Sequence, residues 1–164
     1  MIEIRLILFD IDGVLTDGTA AYNEKGEVIS KSYNQKDITA LRRFKNELGI
    51  NIALFSGSLD INPAFAERRK FDFISVKHRF GENKSTKLND ICFDYNTPKS
   101  QVAFVGDDVQ DLDIMNEVEY AFCPKDAIPE VQKISCVLPV NGGCGVAAHL
   151  FEYIKNERCY SNGW

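Results

Sequence analysis

Asp10 and Asp12 stand two positions apart at the end of the apolar run Leu6-Ile7-Leu8-Phe9, with Gly13 directly after them. In a strand, residues two apart share a face, so the pair would set two negative charges side by side in a place short of water. Such a pair needs a counter-charge. The candidates are a hard divalent cation such as magnesium, or a lysine brought from elsewhere in the chain. With the charge balanced, one carboxylate can attack a phosphorus atom while the other exchanges a proton with the leaving group. The plainer alternative is a strand that turns acidic where it reaches water, and the pair alone does not separate the two.

Three further stretches end in the same way. The run Asn51 to Phe55 leads into Ser56-Gly57-Ser58, whose hydroxyl and backbone N–H groups can hold a phosphate oxygen. Taken alone, Ser56 also suits a helix cap or a turn. Phe73 to Val76 reads as a short strand, followed by a polar loop from Lys77 to Asn83 and a helix opening at Lys84 and running to about Phe93. A lysine in a first helical turn opposes the helix dipole unless it has an anionic partner, and a carboxylate cluster would be one. Gln101 to Val105 passes directly into Gly106-Asp107-Asp108, with Asp111 close behind. If these strands are parallel neighbours, the groups meet on one rim. There Asp10, Asp12 and Asp107 can hold magnesium, while Ser56 and Lys84 hold phosphate.

The elements that must position them follow from periodicity. Continuous apolar runs fit parallel strands covered on both faces. Ile38, Leu41, Phe44 and Leu48 give a helix over Asp37 to Leu48, stopped by Gly49. Further helices are predicted over Asp60 to Lys70 after Pro63, behind Asp111 through Leu112, Met115 and Val118, from Ala127 to Lys133, and from Val146 to Lys155. Tyr120 to Cys123 and Cys136 to Leu138 add two short strands. Thr19 to Tyr33 reads as a β-hairpin turning at Asn23 to Gly26, placed to shield a site at the end of the first strand, to meet a neighbouring subunit, or to be an ordinary surface hairpin. The alternation predicts an α/β fold, a three-layer doubly wound parallel sheet with ligands beyond the carboxyl ends of its strands.

With 164 residues the chain suits one domain, residues 1–164, carrying the hairpin 19–33 as a lid. No apolar run approaches the roughly 20 residues of a membrane span. A net charge of -5 without a basic stripe argues against nucleic acid. Five scattered cysteines with no CxxC pair, and only His78 and His149 beside them, argue against a zinc cluster and favour reduced thiols in a cytoplasm.

The four motifs together resemble those of the haloacid dehalogenase superfamily: Asp10-Ile11-Asp12-Gly13-Val14-Leu15-Thr16-Asp17-Gly18, then Ser56-Gly57, then Lys84, then Gly106-Asp107-Asp108 with Asp111. The likeness covers nearly the whole chain. It is strongest to the members with a hairpin in place of a cap domain, which act on 3-deoxy-octulosonate 8-phosphate or on 9-phosphates of nonulosonic sugars. The resemblance implies a magnesium-dependent sugar phosphatase in which Asp10 forms an aspartyl-phosphate and Asp12 serves as acid and then base. It implies magnesium held by the Asp10 carboxylate, the Asp12 carbonyl and Asp107, with phosphate held by Ser56, Gly57 and Lys84 and the site supported by Asp108 and Asp111. It also implies a homotetramer in which each hairpin helps close a neighbour's site.

Two positions depart from the octulosonate pattern: Ser58 and Cys144 stand where arginines are typical. Arg68, Arg69, Lys77 or Arg79 are the candidates to replace those cations. The departures leave an alternative open, a non-catalytic or regulatory partner of an acylneuraminate cytidylyltransferase pathway, against which the intact Asp10 and Asp12 argue. A signalling receiver domain shares the acidic cluster, hydroxyl and lysine, but its acceptor aspartate follows the third strand, where this chain has none.

Overall fold

The structure is a computed structural model that describes residues 3–76 and 83–161, with side chains described as far as residue 157. Its main sheet has six strands, β1 (Leu6–Phe9), β4 (Asn51–Ser56), β5 (Asp72–Ser75), β6 (Val102–Val105), β7 (Tyr120–Cys123) and β8 (Cys136–Val137), in the order β5-β4-β1-β6-β7-β8 with every pairing parallel. β2 (Ala21–Tyr22) and β3 (Val28–Ser30) form a separate antiparallel hairpin. The helices are α1 (Gln35–Leu48), α2 (Asn62–Arg69), α3 (Leu88–Asp94), α4 (Leu112–Met115), α5 (Pro129–Gln132) and α6 (Val146–Ser161).

Strand alternation divides the core in two. Ile7, Phe9, Leu54, Ala103 and Val105 face α1, α2 and α6, while Leu6, Leu8, Ala53, Phe55, Val102 and Phe104 face α3, α4 and α5. Both faces are therefore dry, which explains why these strands read as unbroken apolar runs. The fold is the expected three-layer, doubly wound α/β sheet. The chain winds outward from β1 through β4 to β5, then returns to the other side of β1 at β6, so the order reverses at β1. Its carboxyl end faces the crevice where such folds bind ligands.

α1 starts two residues before the predicted position because the Asn34 side chain accepts from the Lys36 N–H at 2.9 Å and caps it. It ends at Gly49 in the left-handed region, as the sequence implied. The helix predicted to open at Lys84 opens instead as a 3-10 turn, Ser85–Lys87, ahead of α3. Behind Asp111 the expected helix is a 3-10 turn plus one α-turn, so Val118 lies outside it. Pro129 confines α5 to four residues, and α6 runs six residues past its predicted end. The loop expected from Lys77 falls, up to Glu82, outside the described residues. Among the described residues no helix is long and apolar enough to cross a membrane.

Phe44 of α1 joins the layers on this side, with ring centroids 6.1 Å from Phe9 and 5.3 Å from Phe151 of α6. It is fully buried. Phe44→Ala is expected to lower unfolding free energy by about 3–5 kcal/mol in urea denaturation, the usual range for a buried phenylalanine. The same change at exposed Phe93 should stay within about 0.5 kcal/mol.

Candidate active site

β1 stops at Phe9, and Asp10 extends its ladder by one bond, donating its N–H to the Val105 carbonyl at 2.9 Å. The chain then turns tightly. The N–H groups of Leu15 and Thr16 donate to the Ile11 carbonyl at 2.9 and 3.0 Å, and the buried Thr16 hydroxyl accepts from the N–H groups of Gly13 and Gly18. Gly13 sits at φ +82°, and a Cβ there would overlap the Asp107 carboxylate, so glycine serves both the turn and the close approach. Asp12 thus lies in the turn. Strand alternation does not set it beside Asp10, as the sequence had suggested, because the strand has already ended.

A cavity of about 440 Å³ opens at this end of the sheet. Asp10, Asp12, Ser56, Gly57, Lys84, Asp107, Asp108 and Asp111 all border it, so the structure brings the residues of the four motifs together. Ser58 borders it too, but Cys144, Arg68 and Arg69 do not, and Lys77 and Arg79 lie outside the described residues.

Lys84 is the hub. Its side chain is 3% exposed, and its ammonium donates to Asp10 Oδ1 at 2.6 Å and to Asp111 Oδ1 at 2.5 Å. The rings of Phe104 and Phe55 flank it, with centroids 5.3 and 5.8 Å away. Burial alone would lower its pKa, but the two carboxylates outweigh burial and hold the amine charged, above its ordinary range. Asp111 is fully used: its second oxygen accepts from the N–H groups of Asp107 at 2.8 Å and Asp108 at 3.2 Å. Asp108 caps the same turn by accepting from the Val109 N–H at 2.7 Å.

Burial pushes the Asp10 carboxyl up to about 7, against the opposing pull of Lys84. Burial, reinforced by Asp10 and Asp111, pushes Asp107 up to about 8. Asp107 Oδ1 is buried without a hydrogen-bond partner, and ligand atoms of Asp10, Asp107 and Asp111 lie within 4.8 Å of one another. When all three are ionised, three carboxylates facing one ammonium leave two negative charges for a divalent cation to neutralise. An all-oxygen donor set with one oxygen unsatisfied fits a hard cation.

Four residues that the sequence reading did not single out surround Asp12. Lys31, beyond β3, places its ammonium 2.8 Å from Asp12 Oδ1 and 3.0 Å from Asp60 Oδ1. Burial opposes its charge, and the two carboxylates raise its pKa above the ordinary lysine value. Asn62 is fully buried and donates to Asp12 Oδ2 at 2.9 Å and to Ser56 Oγ at 3.1 Å. Tyr33 donates to Asn62 Oδ1 at 2.9 Å. Spacing gave no signal for Lys31 or Tyr33, since Ile29, two positions before Lys31, is exposed. Behind the site, the loop Asn141-Gly142-Gly143-Cys144-Gly145 backs the turn through Gly143 N–H to the Val14 carbonyl at 2.9 Å, and Asn34 Nδ2 donates to the Gly143 carbonyl at 3.1 Å.

A sequence profile of the haloacid dehalogenase-like hydrolases matches residues 65–150. The chain is 30% identical over 155 residues to the 3-deoxy-D-manno-octulosonate 8-phosphate phosphatase KdsC of Haemophilus influenzae, covering 93% of this chain and 83% of that one. The cobalt-bound structure of the Haemophilus influenzae phosphatase superposes with a TM-score of 0.85 at 26% identity, over 96% of this chain and 90% of that one. The corresponding phosphatase of Moraxella catarrhalis, solved with magnesium, phosphate and KDO, shares the fold at a TM-score of 0.82 and 24% identity, over 98% and 93% of the two chains.

The raised values at Asp10 and Asp107 carry a sign. A carboxyl whose pKa is higher folded than unfolded favours the fold fully below about pH 4, and that contribution is lost as pH rises through about 7 to 8. The metal-free protein should therefore melt at a lower temperature at pH 8.5 than at pH 6. A divalent cation should raise the melting temperature, and by more at the higher pH, because it displaces protons. Scanning calorimetry with and without magnesium checks this, and a shift that shrinks with pH would contradict the site.

Proposed function

The chain belongs to the haloacid dehalogenase-like hydrolases, and from that premise we propose that it is a magnesium-dependent phosphatase of a phosphorylated acidic sugar. The observation that carries the reading is the meeting of Asp10, Asp12, Ser56, Lys84 and Asp107 on one cavity at the switch point of the sheet. Its curated relatives, named as octulosonate 8-phosphate phosphatases, support that sugar class, and a nonulosonate 9-phosphate is the second acidic sugar to try.

In the first step an oxygen of Asp10 attacks phosphorus and the bond from phosphorus to the sugar oxygen breaks, with Asp12 giving that oxygen a proton. An aspartyl-phosphate on Asp10 results. In the second step the Asp12 carboxylate takes a proton from water, the hydroxide attacks phosphorus, and the acyl-phosphate bond opens to return Asp10 and release phosphate. Lys84 fixes one oxygen of Asp10 and brings positive charge beside the phosphoryl group, while the Ser56 hydroxyl and the Gly57 backbone offer donors to its oxygens. Magnesium would be held by the Asp10 and Asp107 carboxylates and the Asp12 carbonyl, and when bound it supplies charge against the phosphoryl oxygens. Asp108 and Asp111 support the site by shaping its last turn and, for Asp111, by holding Lys84.

The reading extends to assembly. The chain is one catalytic domain in which the hairpin over residues 19–33 acts as a lid, and exposed Tyr22 and Ile29 on it offer apolar surface for contact between subunits of a homotetramer. A reducing cytoplasm suits Cys92, Cys123, Cys136 and Cys144, all of them free thiols.

Phosphate release from a panel holding octulosonate 8-phosphate and nonulosonate 9-phosphates tests the proposal. Asp10→Asn is expected to lower kcat by at least about 1000-fold. Chelation with EDTA should abolish turnover and added magnesium should restore it. Folded protein that binds magnesium yet releases phosphate from no sugar would overturn the reading.

A further inference from the structure

Lys31 is a lysine with a 5% exposed side chain on a hairpin whose strands are otherwise largely exposed. Lysine is rarely buried without a partner, and here it has two, the carboxylates of Asp12 and Asp60. Lys31 Nζ lies 2.8 Å from Asp12 Oδ1, while Asn62 Nδ2 lies 2.9 Å from Asp12 Oδ2, so each oxygen of Asp12 has its own donor. The donors are themselves fixed. Asp60 Oδ1 takes the Lys31 ammonium at 3.0 Å, and the Ser58 hydroxyl lies 3.3 Å from it. Asn62 is oriented by the Tyr33 hydroxyl, whose ring stacks on Phe65 at 3.7 Å. Lys31 and Tyr33 both belong to the chain leaving the hairpin.

We propose that Lys31 is a positioning residue for Asp12, holding its carboxyl where the departing oxygen must receive a proton and tying that placement to the seating of the hairpin. The inference rests on the phosphatase reading, because it assigns Asp12 the role of acid. The alternative it must beat is a hairpin anchor with no part in the chemistry. The two differ in their dependence on the leaving group. An alkoxide departs from a sugar phosphate only with a proton, whereas 4-nitrophenolate departs without one. Because kcat/KM covers events up to transfer to Asp10, it isolates the step at which Asp12 acts as acid.

The test compares kcat/KM for octulosonate 8-phosphate and 4-nitrophenyl phosphate in the native protein, Lys31→Met and Lys31→Arg. Lys31→Met is expected to lose about 100-fold on the sugar phosphate, the scale of general acid catalysis, and no more than about threefold on the aryl phosphate. Lys31→Arg, which keeps a cation between Asp12 and Asp60, should recover most of the loss. Equal losses on both substrates, or none on either, would overturn the proposal. Should Lys31→Met fail to fold, Asp60→Asn frees the ammonium from its second anchor and should show the same preferential loss at smaller scale, and its absence there overturns the proposal equally. If the native protein turns over neither substrate, the phosphatase reading fails on its own. A crystal structure of Lys31→Met then decides the positioning role: an Asp12 carboxyl swung away from Asn62 supports it, and an unmoved one overturns it.

Discussion

The buried contact of Lys84 with Asp10 and Asp111 is the constraint on which the site depends. β1 and β6 are neighbours, and each ends in carboxylates, so folding drives negative charges together in a place nearly without water. Lys84 arrives from beyond β5, at the far edge of the sheet, and its ammonium joins the two strand ends. A buried ion pair adds little net stability compared with apolar packing, yet removing one partner leaves an uncompensated charge that costs several kcal/mol. The contact is better understood as what allows Asp10 to be there at all. One ammonium does not balance three carboxylates, and the remaining deficit is what gives a divalent cation its place.

The backbone makes the same approach possible. Gly13 lets the turn after β1 lie against Asp107, and the Thr16 hydroxyl holds that turn closed from inside. The glycine loop at Gly142 and Gly143 closes on the turn from behind, where Gly143 is clamped by Asn34 at the head of α1. Asn34 lies four residues past the end of β3. The hairpin, α1 and the Gly142-Gly143 loop are thereby joined mechanically to the turn that follows Asp10.

The charged strand ends were legible because a buried parallel strand must be apolar to its last residue and then change character abruptly. Leu6 to Asp10, Asn51 to Ser56 and Val102 to Asp107 all do so, and the core is what those runs made it. The helices were less legible where they are short. Leu112, Met115 and Val118 carry a helical period, but capping of the turn by Asp108 and Asp111 commits the residues before Leu112 to a 3-10 turn, and one α-turn remains. Asn62 could not be found from spacing, since an asparagine before Pro63 reads as a turn residue and its burial arises from Asp12, Ser56 and Tyr33, distant in sequence. Lys31 was hidden for a related reason. A lysine on a hairpin is ordinarily solvated, and only the fold brings Asp12 and Asp60 to it.

Asp10 and Asp12 are alike in chemistry and two positions apart, so the different roles proposed for them must come from their surroundings. Asp10 is buried, continues the strand, and is held by Lys84 from the sheet side. Asp12 is one-third exposed, lies in the turn, and is held by Lys31 from the hairpin side. Each carboxylate thus has its own lysine, delivered by a different part of the chain. A rigid ammonium deep in the sheet suits the proposed nucleophile, which must keep its aim while its charge is neutralised. An ammonium on a hairpin suits the proposed acid, which must face solvent for the second step, because it would make seating of the hairpin and placement of the proton donor one event.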